Sequence, residues 1–168
     1  MRKLLNLAAA FLIGLTLSAI ANAGAITDYG ENKLIDAMMR GQSIGAPANW
    51  HAGLDTVACN EAGGGTEVTG GSYARIAIPA TLAAWAGTQS AGSTTASTGS
   101  SATTSNNALI TFPTPTANWG QVVSFRLWDA ATGGNAWLCQ TLVLPKTVNN
   151  GDDPPKFNAG SLTIQIDN

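Results

Sequence analysis

Between Asn106 and Asp152 short apolar runs alternate with clusters of turn-forming residues, and this punctuation restricts the chain to short strands joined by tight turns. Ala108-Leu109-Ile110-Thr111-Phe112 is apolar and β-branched. It stops at Pro113-Thr114-Pro115, where two prolines lack the N–H that a sheet ladder needs. Val122 to Asp129 alternates, with Val123, Phe125 and Leu127 on one face and Val122, Ser124, Arg126 and Trp128 on the other. Ala130 to Asn135 contains residues that accept positive φ and predicts a hairpin connection. Trp137 to Leu144 is then the returning strand, and Asn149-Asn150-Gly151-Asp152 the next turn. A final half-buried strand follows from Leu162, Ile164 and Ile166 alternating against Thr163, Gln165 and Asp167.

Before this block, Asp28 to Arg40 places Leu34, Ile35, Met38 and Met39 at helical spacing, with Asp28 as cap and Gly41 as stop. Gly30 weakens the first turn. The apolar stripe is expected to pack on the sheet. Trp50 to Thr56 alternates and predicts the first strand. Tyr73 to Ile78 predicts a second strand, ended by Pro79, with the glycine clusters Gly63–Gly65 and Gly70–Gly71 as turns. From Gly87 to Asn107 the chain has no apolar residue larger than alanine, so this stretch is expected to be a surface loop or a segment ordered by a neighbouring subunit. Roughly seven short strands and one N-terminal helix make a mainly β protein. The expected fold is an antiparallel, jelly-roll-like β-sandwich over residues 24–168, with strand order left open.

Charged residues are 11% of the 168 and glycines number 19, so the surface must rest on hydroxyl and amide side chains. The net charge of −2 and the absence of any Lys/Arg cluster exclude nucleic-acid binding by phosphate neutralisation. Arg2-Lys3, the apolar run Leu4 to Ala19 and Ala21-Asn22-Ala23 have the form of a signal peptide spanning residues 1–23, cleaved before Gly24. The run is short for a membrane span, so no stable span is expected after cleavage, which leaves a periplasmic, extracellular or surface location. Cys59 and Cys139 are a disulfide in an oxidising compartment; two separate thiols are the alternative.

Chemistry finds little to work with. His51 is the single histidine, and Asp55 four residues along a strand stands about 13 Å away, too far for a dyad. Glu61, Glu67 and Asp129 supply carboxylates for a glycosidase only in the sense that any acidic chain does. Gly63 to Gly71 contains no lysine and opens no helix, so it meets no phosphate-binding pattern. Asp152-Asp153 lacks the further oxygen ligands that calcium requires, and one histidine with two cysteines lacks metal-site spacing. No catalytic, cofactor or metal site is expected. Trp85, Trp119 and Trp137 are candidates for a glycan-stacking surface, against the alternative that they pack in the core.

Several segments carry a likeness. Ala25 to Tyr29, Glu31 to Asp36, Arg40 to Ser43, Gly63 to Arg75, Thr104 to Gly120, Asp129 to Asn135 and Lys146 to Asp152 together resemble small tailed-bacteriophage proteins labelled as tail fibre proteins. The resemblance implies a virion structural component, a tail fibre or head decoration subunit, that works through homo-oligomeric or virion contacts and carries no catalytic residues. The leader and the two cysteines depart from the family pattern. They make an exported bacterial surface or filament protein, or a module binding a cell-surface glycan, the competing expectations.

Overall fold

The computed structural model describes residues 16–19 and 26–166. Its elements in chain order are β1 (Thr16–Ala19), α1 (Asp28–Arg40), β2 (Asn49–Val57), β3 (Thr66–Glu67), β4 (Ile76–Pro79), β5 (Thr103–Ser105), β6 (Ile110–Thr111), β7 (Gly120–Trp128), β8 (Ala136–Val148) and β9 (Lys156–Gln165). They form two sheets. One has the order β3-β2-β7-β8, with β4 also on β2; the other has the order β1-β9-β5, with β6 also on β9. All pairings are antiparallel except β1 with β9. The architecture is that of a β-sandwich, as the alternating strands require.

Phe125 of β7 and Phe157 of β9 meet edge to face with centroids 5.4 Å apart, which places the core between the sheets. Leu54, Phe112, Val122, Leu127, Val148 and Leu162 complete it. The β7–β8 hairpin is the longest ladder, and one irregularity decides which side chains it buries. Between Val122 and Ser124 the register jumps from the Val122–Lys146 pair to the Ser124–Thr141 pair. A bulge reverses the side-chain phase. Val122 is therefore fully buried and Val123 only half-buried, the opposite of the strict alternation expected there. Beyond the bulge both faces are covered: Ser124 and Arg126 are buried alongside Phe125 and Leu127.

Other boundaries moved for identifiable reasons. Pro79 is the last residue of β4 and pairs with Asn49, rather than standing just outside it. That is a position an edge strand tolerates. Thr66–Glu67, inside the glycine-rich stretch expected to be turn, forms β3 against β2. Thr103–Ser105, in the stretch without large apolar residues, forms β5 against β9, and its continuation is fixed by Asn106. The Asn106 amide donates to the Ala108 and Asn158 carbonyls at 2.7 and 2.9 Å, and its oxygen accepts from Leu162 N–H at 2.9 Å. One buried side chain thus does the pairing work of a strand. Ile166 lies past the end of β9 and is exposed, so the last strand's alternation stops at Ile164.

The strand β1 lies within the stretch expected to be a leader. Its backbone pairs Thr16 with Lys156, Leu17 with Phe157 and Ala19 with Leu162, and it also runs beside β8. Leu17 has no exposed surface.

Candidate assembly surface

Helix α1 begins tightly fastened. Thr27, not Asp28, is its N-cap, and the Thr27 hydroxyl accepts from Gly30 N–H while donating to the Ala136 carbonyl at 2.6 Å. Thr27 N–H donates to Trp137 and Asp28 N–H to Glu61, both at 2.9 Å. Ile26 bridges to Leu138, and the Tyr29 ring meets Trp137 edge-on at 5.4 Å. The helix start presses so closely on β8 that a Cβ on Gly30 would stand 2.8 Å from the Trp137 carbonyl oxygen. Glycine's cost in helix propensity is offset by that approach. Gly41 ends the helix in the left-handed conformation at φ 65°.

The rest of the helix leaves the body. Gly30 is its buried residue, while Ile35, Met38 and Met39 are 55, 69 and 75% exposed. Of the stripe expected to pack on the sheet, Leu34 is half-buried and the other three side chains are bare, because the helix is held by its first turn and points these outward. The following segment 41–46 is exposed throughout and includes Ile44. Large apolar side chains contiguous on one projecting element mark a contact surface. Covering the three would contribute roughly 4–8 kcal/mol before association costs. Asp28 and Glu31 occupy the first turn and Arg40 the last, where it pairs with Asp36 at 2.6 Å.

Away from the helix, several charged and hydroxyl groups are held by architecture. Asp55 and Arg126 form a buried ion pair across β2 and β7. Burial pushes the Asp55 carboxyl above its ordinary range, with the Arg126 contacts acting in the opposite sense. Arg75 grips both oxygens of Glu67 at 2.7 Å and donates to the Ala130 and Gly133 carbonyls. Trp128 lies between the two guanidiniums, with Arg75 at 3.7 Å and Arg126 at 4.4 Å from its ring. The Tyr73 hydroxyl donates to Glu67, and desolvation by burial raises its pKa, keeping the phenol protonated. The Asp129 carboxylate accepts from Asn135 N–H at 2.7 Å and from the Trp137 indole at 3.2 Å. Glu67 and Asp129 are thus fastened in place by these partners. Glu61 holds the helix start through its backbone carbonyl.

His51 is half-buried on β2, not a solvent-facing histidine, and its Nδ1 has no hydrogen-bond partner among the described residues. Its neighbour Asp55 is committed to Arg126. Asp152 accepts from Asn149 N–H at 2.7 Å and closes the turn before β9. Cys59 and Cys139 are bonded, joining the segment after β2 to β8 across a sequence separation of 80.

The three tryptophans do not share a surface. Trp119 is buried against Tyr73 and donates to the Gly71 carbonyl at 2.9 Å. Trp137 is buried against Trp50 and Tyr29. Trp85 lines a separate cleft of about 340 Å³ together with Trp50, Thr81 and Leu82. Trp50 is the aromatic that sequence reasoning left out.

Among the described residues no helix is long and apolar enough to cross a membrane. A comparison with curated proteins finds no match. A comparison with protein families finds one over residues 25–165, the family described as Podophage GP4 fiber I protein gp80. The match begins just before α1 and runs to the end of β9, so helix and sandwich lie within the family domain and β1 lies outside it. The chain belongs to the Podophage GP4 fiber I protein gp80 family.

Proposed function

We infer that this chain is a non-enzymatic structural subunit of the phage-fibre type that assembles through the bare apolar stripe of α1. The observation that carries this reading is the exposure of Ile35, Met38 and Met39 on a helix fastened only at its start. The charges suit a second copy. Acidic residues in the first turn and Arg40 in the last give two antiparallel helices complementary ends, as a self-complementary contact requires. The subunit belongs to a fibre or a head decoration, or, if its leader directs export, to a surface filament built from the same domain.

Sedimentation velocity across a wide concentration range tests this. The protein should be oligomeric, and Ile35→Glu with Met38→Glu should yield monomers whose thermal transition is unchanged. A wild-type chain that stays monomeric, or an oligomer indifferent to the double substitution, would sink the reading.

The cleft between Trp50 and Trp85 favours a second reading, an exported glycan-binding module. The Trp85 indole N–H is without a partner among the described residues. Silence on a glycan array would remove it.

A further inference from the structure

We propose that the seam between β8 and β9 is a strand-accepting groove, and that in the assembled protein it is filled by Ser43–Ala46 of a second copy. The inference rests on the chain being an assembling subunit, and it adds a second joint to the α1 contact. In this structure β1 occupies the seam, running parallel to β9 and beside β8, with Leu17 wholly enclosed. The family domain starts at residue 25 and so does not include β1. The seam belongs to the domain, whereas its occupant does not. Cleavage before Gly24, as the leader pattern predicts, would leave β9 with an unpaired edge and Phe157 and Leu162 beside an open apolar slot.

The occupant is identified by pattern and by availability. Thr16-Leu17-Ser18-Ala19 reads hydroxyl, branched aliphatic, small, alanine. Ser43-Ile44-Gly45-Ala46 repeats that order residue for residue. It also stands free. Residues 43–46 are exposed, belong to no strand, and the hydrogen bond recorded within them runs from Gly45 N–H to the Ser43 hydroxyl at 3.3 Å. Gly45 sits at φ 66° and can become extended without the penalty a side chain would impose. Pro47 follows and lacks the N–H to prolong a ladder, which limits the inserted strand to four residues. Laid in the register of β1, Ser43 faces Lys156 and Ile44 takes the place of Leu17 beside Phe157. Main-chain bonds would give affinity and the Ile44 pocket specificity, as in strand addition generally. Donor and acceptor are different surfaces of one subunit, so the contact is head to tail and propagates into a row or ring. The leader strand acts as a plug that keeps the subunit from joining until it leaves.

The test uses the full chain carrying Ser43→Cys and Lys156→Cys, since both native cysteines are already bonded to each other. Intact mass records whether residues 1–23 are retained. Adding Leu17→Arg should expel β1, and non-reducing gels should then show intermolecular cross-links at least tenfold above the parent. Adding Ile44→Arg should abolish them. A folded Leu17→Arg protein without cross-links, or cross-links that survive Ile44→Arg, would overturn the proposal. If Leu17→Arg does not fold, the milder Leu17→Ala, which loosens β1, decides: cross-links above the parent and sensitive to Ile44→Arg support the seam, and none above the parent refute it. Oligomers without the Ser43–Lys156 bridge would refute the seam alone, whereas monomers throughout would refute assembly itself.

Discussion

Replacing Cys59 and Cys139 together by alanine is the perturbation whose size the structure constrains best. The bridge closes a loop whose ends are 80 positions apart in sequence. A loop of that length gives about 4.5 kcal/mol of loop-closure entropy at 25 °C in the chain-entropy treatment, with about 2–5 kcal/mol the measured span for native bridges. The folded state should survive, because the segment it anchors has other ties. Cys59 N–H donates to the Ser124 hydroxyl at 3.1 Å, Gly63 N–H to the Asn60 carbonyl, and the Glu61 carbonyl accepts from Asp28. A loss of 3–4 kcal/mol is therefore expected, a sizeable part of the roughly 5–15 kcal/mol that holds a domain together, with a fall in melting temperature of roughly 10 °C. Urea titration with fluorescence and circular dichroism reads it, and the m-value should rise slightly as the unfolded chain expands. A loss below about 1 kcal/mol with an unchanged m-value would refute the reasoning, since the unfolded chain would then gain nothing from release.

Three further outcomes follow from the polar interior and the helix. Arg126→Met leaves the Asp55 carboxylate buried without its partner and should cost about 3–5 kcal/mol in urea unfolding, whereas replacing Asp55 and Arg126 together by apolar residues should cost much less. Asp129 is held below its ordinary range: burial opposes ionisation, but the Asn135 and Trp137 hydrogen bonds outweigh it. A depressed carboxylate contributes stability that is present above the unfolded value and lost as pH falls through the folded one. Asp129→Asn should therefore lower stability at neutral pH and flatten the acid side of the stability curve, the two proteins converging at low pH, and carbon-detected NMR should show Asp129 titrating below free aspartate. Gly30→Ala should destabilise the protein despite alanine's higher helix propensity, because the added Cβ meets the Trp137 carbonyl; loss of the Tyr29–Trp137 contact in near-ultraviolet dichroism would register it.

The sandwich was legible where neighbours along the chain pair with each other. The β7–β8 hairpin could be read from alternation and from the Ala130–Asn135 turn, and the glycine stop at Gly41 from local chemistry. What escaped depends on partners distant in sequence. Thr66–Glu67 and Thr103–Ser105 become strands because β2 and β9 offer them edges, and runs of two or three residues are too short for an alternation to show. Likewise the spacing of Leu34, Ile35, Met38 and Met39 reported an amphipathic helix, but periodicity says nothing about which body covers the apolar side. The helix stands away from the sheet because Thr27 and Gly30 fix only its beginning. The pairing of Cys59 with Cys139 followed from compartment logic, while the Asp55–Arg126 pair, 71 residues apart, needed the β2–β7 register to be seen, and the Glu67–Arg75 pair, 8 apart, the placing of β3 and β4 on β2.

The position of the covalent bridge has a mechanical side. Cys139 pairs with Arg126 on the central strand β7, and Cys59 binds Ser124 of the same strand, so β2, β7 and β8 are riveted into one plate. If such a subunit is pulled at its ends, the loop between the two cysteines, a sequence separation of 80, cannot pay out. At about 3.4 Å per residue, that withholds roughly 270 Å of contour from any extension. Load would fall first on the β9 sheet, and a filament of these domains would lengthen by slipping at its joints before its plates unravelled.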